Sequence, residues 1–185
     1  MRKLLVWFLV CASFSSFAQK RLEAFNRLED KLALKELSLR KSGLKNIPAT
    51  VWECLNLEEL DLSKNDIKTI PSEIANLKKL RVLKLSKNQL KTIPKSIRSL
   101  PALEELYLDQ NPIDTLEIGK GDFESLLILD LWDAEIKYID LGICSLTHLE
   151  RMDLRRNFLG TRDLEWLFAC LPNCETESTW GCNCD

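Results

Sequence analysis

The sequence holds a single histidine, His148, and no long apolar run, and its 26 basic and 28 acidic residues nearly cancel to a formal charge of -2. Each shortage removes a class of function. With one histidine there is no H-E-x-x-H zinc pair, and no Ser-His-Asp pattern, phosphate-cradling glycine loop or Rossmann fingerprint occurs. Without a basic excess the chain lacks the overall charge balance of nucleic-acid binders. A hydrophobic content of 45% separates it from disordered chains, and 185 residues suit one domain.

The longest apolar run, Leu4 to Val10, falls short of the roughly 20 residues a spanning helix needs. It follows Arg2 and Lys3 and leads into small residues ending in Ser16-Phe17-Ala18, which reads as a signal peptide over residues 1–18. Cys11 follows Val10, where a bacterial lipobox would want a small residue, so lipidation is the lesser reading. The Ala18-Gln19 junction resembles exported proteins of Bacteroidota-type bacteria. The chain is expected to be secreted, or to reside in the periplasm or cell envelope, with no membrane span after cleavage. Cleavage removes Cys11 and leaves an even number of cysteines, which suits an oxidising compartment.

What the sequence has in abundance is leucine at a fixed interval. "LEELDLSKNDIKTIPSEIANLKK" from Leu57 matches "LRVLKLSKNQLKTIPKSIRSLPA" from Leu80, 23 residues later. At that interval Leu34, Leu57, Leu80, Leu103, Leu126 and Leu149 open six successive segments. Each begins L-x-x-L-x-L, with Met152 substituting in the last. In a short strand, alternation points the second and third leucines inward and the residue between them outward. Position nine is Asn65, Asn88, Asn111 and Asn157, where an inward amide satisfies backbone groups that leave the strand. Ser42 and Ala134 take that place in the first and fifth segments.

These segments resemble leucine-rich repeats, whose signature is L-x-x-L-x-L-x-x-N-x-L with one strand per unit. The Ile-Pro pairs at Ile47-Pro48, Ile70-Pro71 and Ile93-Pro94 resemble the family's 23-residue class. The resemblance implies an α/β solenoid: an arc of six repeats over 34–171, with a parallel concave sheet and an irregular or short-helical convex side. One such unit cannot bury its own apolar face, so stacking neighbours must build the core.

Both ends carry capping signals. In residues 19–33, Leu22, Phe25, Leu28 or Glu29, and Leu32 are spaced as one face of an amphipathic helix, the N-terminal cap. Cys170, Cys174, Cys182 and Cys184 crowd the end of the chain, and 172–185 reads as a Cys-rich C-terminal cap pinned by disulfides. Their spacing matches no paired C-x-x-C zinc motif, and connectivity is open. Cys54 replaces a core leucine and reads as a buried apolar thiol, while Cys144 is ambiguous. In "RDLEWLFACLPNC", Leu164, Leu167, Phe168 and Leu171 share a helical face on the convex side of the last repeat.

The later repeats depart from the pattern. Pro48, Pro71 and Pro94 give way to Glu117, Asp140 and Asp163, and two glycines, Gly119 and Gly121, reshape one turn. In the fifth repeat the outward positions are Leu127, Ile128, Asp130 and Trp132, the least polar stripe of the concave face. The outward columns place Tyr107, Asp109, Asp130, Asp153 and Arg155 around it, and Tyr, Trp and Arg are the types that dominate binding hot spots. Tyr107, Asp109, Ile128, Asp130, Trp132, Asp153 and Arg155 are therefore the candidate partner-binding residues. Asp61 beside Lys84 reads as a cross-strand charge pair.

The resemblance implies a non-enzymatic module that binds a protein or peptide on its concave side, without cofactors. Self-association, as a structural or assembly component of the envelope, is the alternative. Calcium is a minor reading for Asp130, Asp133, Glu150 and Asp153, because Arg151, Arg155 and Arg156 lie among those carboxylates.

Overall fold

The computed structural model describes residues 20, 22–27 and 31–178. The expected signal peptide, Leu28, Glu29, Cys182 and Cys184 lie outside the described residues. Six short strands follow the leucine period: β1 (Glu36–Ser38), β2 (Glu59–Asp61), β3 (Val82–Lys84), β4 (Glu105–Tyr107), β6 (Ile128–Asp130) and β8 (Arg151–Asp153). They pair in parallel with a register of one repeat, so Leu60 lies beside Leu83, and Leu106 beside Leu129. A second, two-stranded sheet joins β5 (Thr115–Leu116) to β7 (Tyr138–Ile139).

Among the described residues the main sheet has seven strands rather than six. The seventh, β9 (Glu175–Glu177), comes from the segment expected to be cap alone, and pairs in parallel with β8 through Met152 and Thr176. Its inward residue is half-buried Thr176, where every other strand but the first presents a fully buried Leu or Met. A polar residue there closes the stack without demanding another coil to cover it.

The repeat rule follows from burial. Leu60, Leu83, Leu106, Leu129 and Met152 have no exposed surface, nor do Leu62, Leu85, Leu108 and Leu131. They form one continuous core. At the N-terminal end residues 22–26 are helical, with Phe25 buried in that core and Leu22 packed against it. Leu32 departs from the expected helical face: it lies on a 3-10 turn, Lys31–Ala33, and is 53% exposed.

The Asn column holds neighbouring coils together. Asn88 Nδ2 donates to the carbonyls of Leu62 and Leu85 at 3.1 and 2.8 Å, and its Oδ1 accepts from Ile67 N at 3.1 Å. Asn65, Asn111 and Asn157 repeat this pattern and are buried. At Ala134, which has no amide, the backbone itself takes over: Ile113 N donates to the Ala134 carbonyl at 2.9 Å. Turning that carbonyl toward the preceding coil accompanies a second left-handed residue, Glu135 at φ 66°, beyond the Asp133 turn at φ 54°.

The convex side is short-helical, as the resemblance implies. It carries 3-10 turns at Ala49–Glu53, Ser72–Asn76 and Leu141–Ser145, a four-residue turn α1 (Lys95–Arg98) and a ten-residue helix α2 (Thr161–Cys170). The acids that replace proline have work there. Asp140 accepts from Gly142 N at 2.9 Å and from Ile118 N at 3.2 Å, tying its turn to the previous coil. Asp163 accepts from Gly160 N at 2.9 Å at the start of α2. Gly142 is required by close approach, since a Cβ there would lie 1.8 Å from the Ile118 carbonyl oxygen. Leu164 and Leu167 of α2 are buried.

A disulfide is present at the C-terminal end, through the candidate Cys170, and its partner is the ambiguous Cys144. Cys170 of α2 is bonded to Cys144 on the adjacent coil, with Cα atoms 5.3 Å apart, and Cys174 is a free thiol. Cys54 is also free and wholly buried, its thiol pushed up chiefly by burial, and its nearest partner is the Thr50 carbonyl at 3.7 Å.

Candidate interaction face

Residues of β4, β6, β8 and β9 enclose a shallow recess of about 200 Å³, lined by Tyr107, Ile128, Leu129, Asp130, Arg151, Asp153 and Glu177. Strand register explains the grouping, because Asp130 lies opposite Tyr107 on one side and Asp153 on the other. Of the seven residues chosen from sequence, Tyr107, Ile128, Asp130 and Asp153 line the recess. Asp109, Trp132 and Arg155 lie beyond its lining, one alternation farther along their strands. Arg151 and Glu177 complete it, and Glu177 escaped the sequence reading because β9 has no leucine to mark it.

The recess combines an aromatic wall with carboxylates of unequal character. The Tyr107 hydroxyl donates to Glu105 Oε2 at 2.8 Å, and burial, with that carboxylate as acceptor, pushes the phenol up to about 12. Asp130 is half-buried and accepts from Trp132 N at 3.0 Å. Burial raises its carboxyl above the usual range, Asp109 and Asp153 push the same way, and the backbone bond and Arg155 oppose them. Asp153 is engaged differently, with Arg155 bridging it at 2.5 Å to Glu177 at 2.8 Å.

Trp132 and Arg155 are neighbours across the strands, as the register of Asp130 with Asp153 requires, but it is not Arg155 that covers the ring. The arginine over its ring is Arg156, whose guanidinium carbon lies 5.3 Å from the ring centroid, a cation–π distance. Arg156 also pairs with Asp133 at 3.2 Å. The chain is left-handed at Arg156, φ 60°, and this turn swings residue 156 rather than residue 155 over the preceding coil. Lys84 likewise pairs with Glu59, on the diagonal, and not with Asp61, which accepts from Ser63 N at 2.9 Å. Asp133 and Asp153, two of the acids considered for calcium, are thus each held by an arginine.

Comparison with known proteins agrees with the architecture. A family model described as "Leucine rich repeat" matches residues 56–113. The chain is similar in structure to a leucine-rich repeat protein from Leptospira interrogans, at 32% identity and a TM-score of 0.73, over 78% of this chain and 37% of that one. It is similar to the leucine-rich repeat domain of the type III effector XopL, at 31% identity and a TM-score of 0.56, over 68% of this chain and 43% of that one. An internalin from Listeria monocytogenes shares the fold, at 22% identity and a TM-score of 0.56, over 88% of this chain and 55% of that one. The chain therefore spans between 37% and 55% of the length of these structures. No curated protein matches it.

Proposed function

We propose, from the premise that this chain is a leucine-rich repeat protein, that its concave face over β4, β6, β8 and β9 binds a protein or peptide partner. The family suggests a protein-interaction module, and its fold is typically a scaffold rather than an enzyme. The observation that carries the choice of face is the recess, where Tyr107 and Ile128 stand beside half-buried Asp130 on a largely charged sheet. An aromatic and an aliphatic anchor beside a partly desolvated carboxylate is the composition of an interface centre, with Arg155 and Asp109, beyond the lining, as its polar rim.

The signal-like residues 1–18 support export, so the partner is sought outside the cytoplasm. The test is a crosslinking pull-down comparing wild type with Tyr107→Ala and Trp132→Ala, followed by affinity measurement on the captured partner. Tyr107→Ala is expected to weaken binding by about 2 kcal/mol, and Trp132→Ala by less, because its ring is covered by Arg156. A partner that binds both variants as tightly as wild type removes this face from consideration.

Self-association is a second reading, favoured by Tyr138, Leu141 and Phe158, which are 69%, 76% and 60% exposed on the last two coils away from the recess. Sedimentation showing a concentration-dependent dimer that Phe158→Ser abolishes would support it. A monomer at all concentrations would exclude it.

A further inference from the structure

On the first three coils the turn that leaves the strand carries the same residue at the same place. Lys41, Lys64 and Lys87 are 23 residues apart and left-handed, with φ of 55°, 59° and 57°. Each donates its N–H to the following coil, to the carbonyls of Ser63, Ser86 and Asp109, at 3.0, 2.8 and 2.8 Å. These bonds hold the turns in register, so the lysines form a column stepped at about the 4.8 Å spacing of strands. Glycine or asparagine would enter a left-handed turn with less strain, so the backbone does not call for lysine there.

Four residues along, Lys45, Lys68 and Lys91 form a second exposed column. Both columns are interrupted at the fourth coil, where Gln110 and Asp114 take these positions, and beyond it only Lys137 on the fifth coil returns a lysine to either.

On the strands of the same coils several bases are neutralised by acids: Lys35 pairs with Glu58, Arg81 with Glu104, and Lys84 with Glu59. None of the six column lysines takes part in an ion pair among the described residues. Asp66 is the one acid set between the two columns. The Lys64 ammonium is pushed below its usual range, first by Arg40 and Lys41, with Lys87 adding and Asp109 opposing. Such like-charge crowding works against folding, and a bound anion would relieve it.

We propose that these paired lysine columns bind a linear anionic polysaccharide, bearing sulfate or phosphate groups, laid across the first three coils. Three rungs cover about 10 Å at the strand spacing, the scale of a disaccharide, so charges on successive sugars meet successive lysines. A single-stranded nucleic acid would want aromatic platforms for its bases, and neither column contains an aromatic residue. An anionic bilayer would want apolar groups to insert beside the charges, and the exposed large hydrophobics lie outside the columns.

The experiment is calorimetric titration of the full-length protein with a size-defined heparin oligosaccharide. Wild type should bind, with affinity falling roughly twenty- to fifty-fold between about 50 and 200 mM salt if three or four charges are matched. The joint variant Lys41→Gln, Lys64→Gln, Lys87→Gln should bind at least tenfold more weakly and melt no lower than wild type. Joint substitution of Lys45, Lys68 and Lys91 by glutamine is a second variant with the same expectation for binding. Lys95→Gln with Lys120→Gln, outside the columns, should change neither. Absence of wild-type binding, or equal binding by both column variants, overturns the proposal. Tighter binding of single-stranded DNA or anionic vesicles than of the glycan would also overturn it, in favour of those partners. None of these outcomes depends on the concave recess, so the two readings stand or fall separately.

Discussion

Replacing Asn111 by alanine tests how the coils are locked together. Its Nδ2 donates to the carbonyls of Leu85 and Leu108 at 3.0 and 2.9 Å, and its Oδ1 accepts from Leu90 N at 3.0 Å. In the variant the Leu85 carbonyl still receives Asn88 Nδ2 at 2.8 Å. The Leu108 carbonyl does not have such a second donor, because position nine of the next coil is Ala134 rather than asparagine. Two buried backbone groups, Leu90 N–H and Leu108 C=O, therefore lose their partner. At about 1–3 kcal/mol for each orphaned group, the loss is about 2–6 kcal/mol.

Asn88→Ala is the matched control. It strands Ile67 N–H, while the carbonyls of Leu62 and Leu85 keep Asn65 and Asn111, so its cost is about 1–3 kcal/mol. The backbone rerouting at Ala134 offers Asn111→Ala no relief, since it uses a left-handed residue next in sequence and Pro112 cannot adopt one. Equilibrium unfolding in urea of the two variants reads the difference as a shift in midpoint at constant slope. If Asn111→Ala costs no more than Asn88→Ala, or either loses under about 0.5 kcal/mol, the amide column is not what satisfies these backbones.

Reduction of the Cys144–Cys170 bond, which spans 26 residues, should lower stability by about 3.5 kcal/mol on the chain-entropy relation, with hydrogen exchange rising first in α2; unchanged melting under reductant would refute this. Asp130→Asn should raise the melting temperature at neutral pH and converge with wild type in acid. The native carboxyl is raised by burial and by Asp109 and Asp153, so its favourable contribution is full below the unfolded value of about 3.9 and is lost as pH climbs through the raised one. A variant less stable than wild type at neutral pH would contradict it. Glu135→Gly should stabilise by up to about 1 kcal/mol by removing left-handed strain, measured in the same urea titrations, and a loss would mean the Glu135 side chain supports the turn.

The scaffold was legible because its physics is periodic. A leucine that must be buried recurs wherever a coil recurs, and so does an amide that must bridge two coils, which is why Leu60 and Asn65 predict Leu83 and Asn88. What escaped depends on contacts without a period. β9 offers Glu175, Thr176 and Glu177, none apolar, and its register with β8 steps 24 residues instead of 23. Its signal was the unpaired edge that β8 would otherwise expose. Cys144 and Cys170 belong to adjacent coils on the convex side, so counting in coils rather than along the chain brings them together. The choice of Arg156 over Arg155 for Trp132 follows from a left-handed turn that recurs in all six coils just before position nine, a constraint with no fixed residue type to announce it.

Regularity conceals chemistry as well as revealing it. Inward positions are dictated by burial, so only outward positions are free to encode recognition, and they do so in two ways. On the later coils the pattern breaks, at Ile128, Trp132 and Ala134, and the breaks stand beside the recess. On the first three coils nothing breaks, and Lys41, Lys64 and Lys87 pass for scaffold because they repeat. Yet packing asks nothing of an exposed ammonium at a left-handed turn, and stacking equal charges at strand spacing is unfavourable. A residue that recurs without a structural reason, at an energetic disadvantage, calls for explanation as much as one that departs from the repeat. The two kinds of feature lie on different coils and differ in charge, carboxylates mixed with arginines around the recess and ammonium groups alone in the columns, so a partner at one leaves the other open.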